Sequence, residues 1–276
     1  MNIVVVGLGL IGGSIAKALS KKTSHHIIGI DRNEAVLQDA LSCSAIHEIG
    51  NYATLSKADL LYLCLYPHDC VAFFTENAPC LKPDCIVTDT AGTKQYICRE
   101  LTALSKQYGF LFLGSHPMAG KEQSGFSASD SELFLGASYL LTPCDAPEHA
   151  VETVKTLALS MGFESVHLTT PEEHDKQIAF TSQLPHLLAC SYVKSPRCMQ
   201  HKGFSAGSYR DVSRVARINE TLWTELFLEN REALLTELAD FVDHIQQLQE
   251  AITHNDADTL KKLLTEGREI KEALCE

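Results

Sequence analysis

Positive charge, long apolar runs and paired cysteines are what this sequence has little of. Its 23 Lys and Arg stand against 35 Asp and Glu, a net charge of −12. Such a chain cannot neutralise a phosphate backbone, so general nucleic-acid binding is excluded. The longest unbroken apolar run, residues 60–66, is seven residues, far too short to cross a bilayer. No basic segment followed by a long apolar stretch opens the chain. The expectation is a cytoplasmic protein with no export signal and no membrane partner. Ten cysteines are present, but no two form Cys-x-x-Cys, and reduced thiols are the expected state. No spacing of His, Cys and carboxylates matches a metal site, so no metal is expected. Internal repeats and low-complexity segments are absent as well.

What is present is enough apolar material for a sizeable core, 45% of 276 residues, in a length that suits two domains. Up to residue 169, short β-rich runs alternate with helical patterns. Residues 3–6, 27–30, 60–65, 85–88, 110–113, 138–141 and 165–168 read as strands. Residues 11–20, 33–41, 70–76 and 94–108 read as helices, and Pro147 can start another. Strands apolar on both faces belong to a parallel sheet covered by helices on both sides. From Thr170-Pro171-Glu172-Glu173, an N-terminal helix signature with capping-box spacing, the chain reads as helical. Ser195-Pro196 breaks the first helix. A long helix is expected from about Asn219 to His254, with Leu234, Leu238, Phe241, Val242, Ile245, Leu248 and Ile252 forming an apolar stripe. A final helix follows Asn255-Asp256. The fold class is therefore α/β plus all-α: a doubly wound, mostly parallel dinucleotide-binding sheet in residues 1–169, then a helical domain in residues 170–276.

Gly7-Leu8-Gly9-Leu10-Ile11-Gly12 is a Gly-x-Gly-x-x-Gly loop between a strand and a helix, the context that gives the motif meaning. One glycine permits the tight turn, one admits a pyrophosphate to the backbone, and one lets helix and strand pack. The helix N-terminus then offers N–H groups to the phosphates. Asp31, nineteen residues past Gly12, can accept ribose hydroxyls and repels a 2′-phosphate, which favours NAD. Arg32 beside it can hold a 2′-phosphate, which leaves NADP open.

Two further constellations stand out. His116, in Gly114-Ser115-His116-Pro117-Met118-Ala119-Gly120, follows a strand and is expected in the crevice at the strands' carboxyl ends; a plain turn histidine is the competing reading. Asp89-Thr90-Ala91-Gly92-Thr93-Lys94 also follows a strand, and its hydroxyls and N–H groups can orient an imidazole or a nicotinamide. Residues 194–217 carry six basic residues and one acid. On an acidic protein that local positive charge suits capture of a small anion; an arginine can fork onto a carboxylate, and as Arg210 and Arg214 lie one helical turn apart, only one of them is expected to face the site. A solvated basic face paired with Glu220 or Glu225 is the alternative. His186 reads equally as a core or a site histidine, and His174-Asp175 as support for a helix start.

The order of these segments, together with Gln183-Leu184-Pro185-His186, Arg210-Asp211-Val212-Ser213-Arg214-Val215-Ala216 and Trp223, resembles the prephenate/arogenate dehydrogenases of tyrosine biosynthesis over nearly the whole chain. The resemblance implies NAD-dependent oxidative decarboxylation of prephenate to 4-hydroxyphenylpyruvate, with arogenate as the alternative substrate. It implies that His116 takes the substrate hydroxyl proton and that Thr93 orients His116. It implies that Arg214 binds a substrate carboxylate, and that Glu122, Gln183 and His186 line the pocket with Arg210 nearby. It also implies a homodimer through the helical domain. With the last residue at Glu276, neither a fused mutase domain nor a regulatory domain is expected, so tyrosine feedback would act at the catalytic pocket. Two other readings compete. A β-hydroxyacid dehydrogenase or imine reductase shares the architecture and would need a lysine such as Lys176, Lys194 or Lys202. A non-catalytic NAD sensor would use the apolar stripe to bind a protein partner.

Overall fold

The computed structural model describes residues 1–274. Its strands are β1 (Asn2–Val6), β2 (His26–Ile30), β3 (Glu48–Ile49), β4 (Leu60–Leu63), β5 (Ile86–Asp89), β6 (Leu111–Pro117), β7 (Ser138–Thr142) and β8 (Ser165–Leu168). They form one sheet in the order β3-β2-β1-β4-β5-β6-β7-β8. All neighbours are parallel except β6 and β7, which pair antiparallel with His116 opposite Leu140. Period-two alternation explains the two-sided core. Ile3, Val5, Leu60 and Tyr62 pack into one apolar cluster, while Val4, Val6, Leu61 and Leu63 pack into another. The order of connection reverses between β1 and β4, and in such sheets ligands bind beyond the strands' carboxyl ends at that point.

The helices that follow the strands are α1 (Leu10–Lys22), α2 (Glu34–Ser42), α3 (Pro67–Asn77), α4 (Gln95–Tyr108) and α5 (Glu148–Met161). Beyond the sheet come α6 (Pro171–Ile178), α7 (Leu184–Tyr192), α8 (Gly207–Ser213), α9 (Glu220–Glu229), α10 (Arg231–Thr253) and α11 (Ala257–Ala273). Thr170 caps α6 by accepting the Glu173 N–H at 3.2 Å. A π-helical turn, Ala179–Gln183, joins α6 to α7. Such single turns widen a helix and recur at functional sites. None of the described helices is long and apolar enough to cross a membrane.

Packing divides the chain after Asn230. The first unit, beginning at Met1, holds the sheet and every helix through α9. The second, from Arg231, is the hairpin of α10 and α11. The change of pattern at 169/170 thus marks the end of the sheet, while the helices from α6 to α9 pack with it in one unit. Three local expectations are corrected. The two-residue β3 has too little pattern to be read from sequence. Strand β6 continues to Pro117, so His116 sits within a strand and not after one. The single helix expected over 219–254 is two, interrupted at Asn230. Asn230 is buried, and its side-chain amide donates to the Asp175 carbonyl at 2.7 Å and to Gln183 Oε1 at 2.8 Å. Those bonds fix the break, which the continuous apolar periodicity conceals.

A buried ion pair locks the carboxyl ends of the central strands. Lys94 Nζ meets Asp89 Oδ2 with both side chains 0% exposed. Asp89 also accepts the N–H groups of Ala91 at 2.8 Å and Ser115 at 3.1 Å. One carboxylate thereby ties β5, the loop before α4 and the residue preceding His116. Removing one partner strands the other charge in the interior, which costs about 3–5 kcal/mol. Lys94→Ala should lower the unfolding free energy in urea by that amount; a loss under about 1 kcal/mol would contradict the assignment.

Candidate active site

A cleft of about 600 Å³ runs from Gly9, Leu10 and Ile11 past Tyr66 and Gly92 to His116, and on to Glu122, His186, Arg214 and Trp223. The glycine loop forms one end. Gly7 has φ +85°, and a Cβ there would lie 2.6 Å from the Cys64 carbonyl oxygen. A Cβ on Gly12 would fall 1.9 Å from the Gly7 oxygen, so the close approach of α1 to β1 requires glycine. At Gly9 a Cβ would meet nothing within 4 Å. It faces open space at the start of α1, where no side chain caps the helix. Uncapped N–H groups beside an open backbone suit a pyrophosphate. Asp31 follows β2 directly, accepting Leu8 N–H on Oδ2 at 2.7 Å and Asn33 N–H on Oδ1 at 2.9 Å. Each oxygen keeps lone pairs for ribose hydroxyls. Arg32 is exposed beside it. These residues fit a dinucleotide.

His116 is oriented by a partner other than the one expected. Its Nδ1 lies 3.0 Å from Nε2 of His174, and His174 Nδ1 lies 2.7 Å from Asp175 Oδ1. Thr93 instead donates its hydroxyl to Glu229 Oε2 at 2.5 Å. The hydrogen bonds assign the tautomers. Both Asp175 oxygens receive backbone N–H groups, from Lys94 at 2.7 Å and Gln95 at 2.9 Å. The carboxylate is therefore an acceptor, and His174 carries its proton on Nδ1. His174 Nε2 then accepts from His116 Nδ1–H, which leaves the His116 Nε2 lone pair free. Burial is the main force that holds His116 well below the usual imidazole range, assisted by His174 and the Lys94 ammonium. Burial likewise lowers His174, against the opposing pull of Asp175. Both rings are thus neutral. Asp175 also supplies the cap that α4 lacks, since Lys94 at its N-cap position makes no side-chain cap bond. His174-Asp175, read from sequence as helix support, does that work for α4 and orients His116 as well.

At the far end of the cleft, Arg214 donates to Glu122 at 2.6 Å. His186 donates from Nδ1 to the Ser182 carbonyl at 2.8 Å. Its ring stacks on Trp223 with centroids 3.7 Å apart and planes at 29°. Burial lowers the basicity of His186, and the nearby Arg214 adds to the effect. Its Nε2 is consequently an acceptor. The cleft brings together the glycine loop, His116, Glu122, His186 and Arg214. It does not bring in Gln183, which is buried and donates its amide to the Leu226 carbonyl at 3.0 Å. Arg210 is also outside the lining, on an exposed face beside Asp211. Sequence reading missed Arg217, Ser182 and Asn219 as lining residues. The i, i+3 spacing of Arg214 and Arg217 signals the first of these. Lys176, Lys194 and Lys202 are exposed and do not line the cleft, which removes the motive for a lysine-dependent hydroxyacid enzyme.

Comparison with known proteins assigns the chain to a family. Residues 15–167 match the family model for the prephenate dehydrogenase nucleotide-binding domain, and residues 170–266 that for the prephenate dehydrogenase dimerization domain. A cyclohexadienyl dehydrogenase of Zymomonas mobilis is 31% identical, over 99% of this chain and 96% of its own. A prephenate dehydrogenase from A. aeolicus, solved with hydroxyphenyl propionate and NAD+, superposes with a TM-score of 0.88 at 26% identity, covering 100% of this chain and 98% of that one. An arogenate dehydrogenase of Synechocystis gives 0.83 at 28% identity, covering 99% and 100%. The chain belongs to the prephenate dehydrogenase family.

Proposed function

We propose that this chain catalyses the NAD-dependent oxidative decarboxylation of prephenate to 4-hydroxyphenylpyruvate. The observation that carries the reading is one cleft lined by the glycine loop, a neutral His116 and Arg214. Gly9 and the start of α1 hold the pyrophosphate, and Asp31 holds the adenosine ribose. The nicotinamide, when bound, accepts the hydride from the ring carbon that bears the hydroxyl. His116 Nε2 takes the hydroxyl proton as that hydride departs. Developing charge on His116 is balanced through His174 by Asp175, so His174 is a positioning residue. Loss of the ring carboxylate as carbon dioxide makes the ring aromatic, and the chain's main task is alignment. Arg214 binds a substrate carboxylate, exchanging its contact with Glu122 for the ligand. His186, held by Ser182 and Trp223, presents an acceptor to the side chain. Arogenate is the second reading, favoured by the likeness to the Synechocystis structure; faster turnover on arogenate than on prephenate would select it. We place the protein in the cytoplasm and read it as a homodimer. Val242, Ile245 and Ile252 on α10 and Leu264 and Ile270 on α11 are exposed apolar side chains, the kind of surface a second copy covers.

Activity, pH dependence, substitution and sedimentation test this. Purified chain should reduce NAD when given prephenate, and His116→Asn should abolish turnover while NAD affinity holds. Because a lowered pKa keeps the base unprotonated until the solution is more acidic, the acid limb of kcat/KM should lie below pH 6.5. A limb at or above that value, or an active His116→Asn chain, contradicts the base. Arg214→Gln should raise KM for prephenate about 10- to 100-fold, the worth of a charged hydrogen bond at about 1.5–3 kcal/mol, with NAD affinity unchanged. Sedimentation at micromolar concentration should report two chains; a single chain there would refute the dimer.

A further inference from the structure

Outside the cleft, the described residues hold one cluster with the donors of a metal centre: His68 at the start of α3, and Glu225 and Glu229 one turn apart on α9. One ligand atom from each lies within 4.8 Å of the others. His68 Nε2 is 3.7 Å from Glu229 Oε1 and 4.0 Å from Glu225 Oε1. A cation bonded at roughly 2.0–2.2 Å to two such atoms holds them about 3.3–4 Å apart. The two imidazole–carboxylate separations already fit that range, with a contraction of a few tenths of an ångström at most.

A second observation points to a ligand. The Glu229 side chain is 6% exposed, and its Oε1 receives no hydrogen bond. A carboxylate oxygen removed from water without a partner is costly, and here it is aimed at an imidazole nitrogen. Each donor is also held by a neighbouring group. Tyr96 OH lies 3.1 Å from His68 Nδ1, with the two rings edge to face at 4.9 Å. A neutral His68 that donates from Nδ1 to Tyr96 presents its Nε2 lone pair to the cluster. Glu225 Oε1 accepts the His68 backbone N–H at 2.7 Å, and Glu229 Oε2 accepts the Thr93 hydroxyl. His68 itself is 60% exposed, so water has access to complete the coordination.

We infer that His68, Glu225 and Glu229 form a site for a first-row divalent cation, one imidazole and two carboxylates with an open position for water. That donor set suits zinc or manganese. None of the three donors lines the cleft. The ion ties the start of α3, next to cleft residues Tyr66 and Pro67, to α9, which carries cleft residues Leu222, Trp223 and Leu226. The sequence hides this site because residue 68 lies far from 225 and 229. Only the i, i+4 carboxylates could have signalled it.

Chelator-treated full-length chain titrated calorimetrically with zinc and then with manganese tests the inference. It should take up one cation per chain and melt at higher temperature when loaded. His68→Ala and Glu225→Gln should each abolish saturable uptake while circular dichroism stays native, and Tyr96→Phe should weaken it by about 10-fold or more. Absence of saturable uptake overturns the site and leaves only the direct contacts of His68 with the two carboxylates. Uptake that survives both substitutions overturns it too, by placing the cation elsewhere.

Discussion

The hydrogen-bonded line from His116 through His174 to Asp175 is the contact on which the rest depends. It joins a strand of the sheet to the first helix beyond it. It also sets which nitrogen of His116 is free. Asp175 can act as its terminus only because both its oxygens are held by the start of α4. That start is set in turn by the buried Lys94–Asp89 pair. A structural cap, a buried ion pair and the imidazole proposed as the base are thus one connected device, and that imidazole inherits its orientation from the fold.

Electrostatics divide the cleft into two halves. Around His116, burial and the Lys94 ammonium keep imidazoles neutral, which suits proton uptake. At the other end Arg214 is exposed and engaged with Glu122. An exposed ion pair contributes little to stability, so this arginine is available for exchange onto an anionic ligand. A guanidinium at the rim and a neutral imidazole within give the cleft a direction that suits the charged, hydroxyl-bearing ring proposed as its substrate.

Much of this was legible in the chain. Alternating strand and helix patterns marked the sheet, and the spacing of Gly7, Gly9 and Gly12 marked the close-packed loop at one end of the cleft. His116 and Arg214 were marked by their settings, though 98 positions separate them. What escaped was whatever depends on contacts across the fold. Thr93 carries a hydroxyl in a suitable place, yet Glu229 takes it. Gln183 is polar and near His186 in sequence, but the π-helical turn puts it in the packing against Leu226 and Asn230. His174 lies 58 residues from His116, and no local pattern ties the two. The break at Asn230 is hidden for the same reason, since its cause is a side chain reaching to Asp175 and Gln183.

The central claim concerns one proton on one ring, and nitrogen-15 NMR of imidazole-labelled protein reads it directly. The account predicts that His116 carries its proton on Nδ1 and stays neutral as the pH falls through 6.5. A proton on Nε2, or titration at or above that pH, would contradict it.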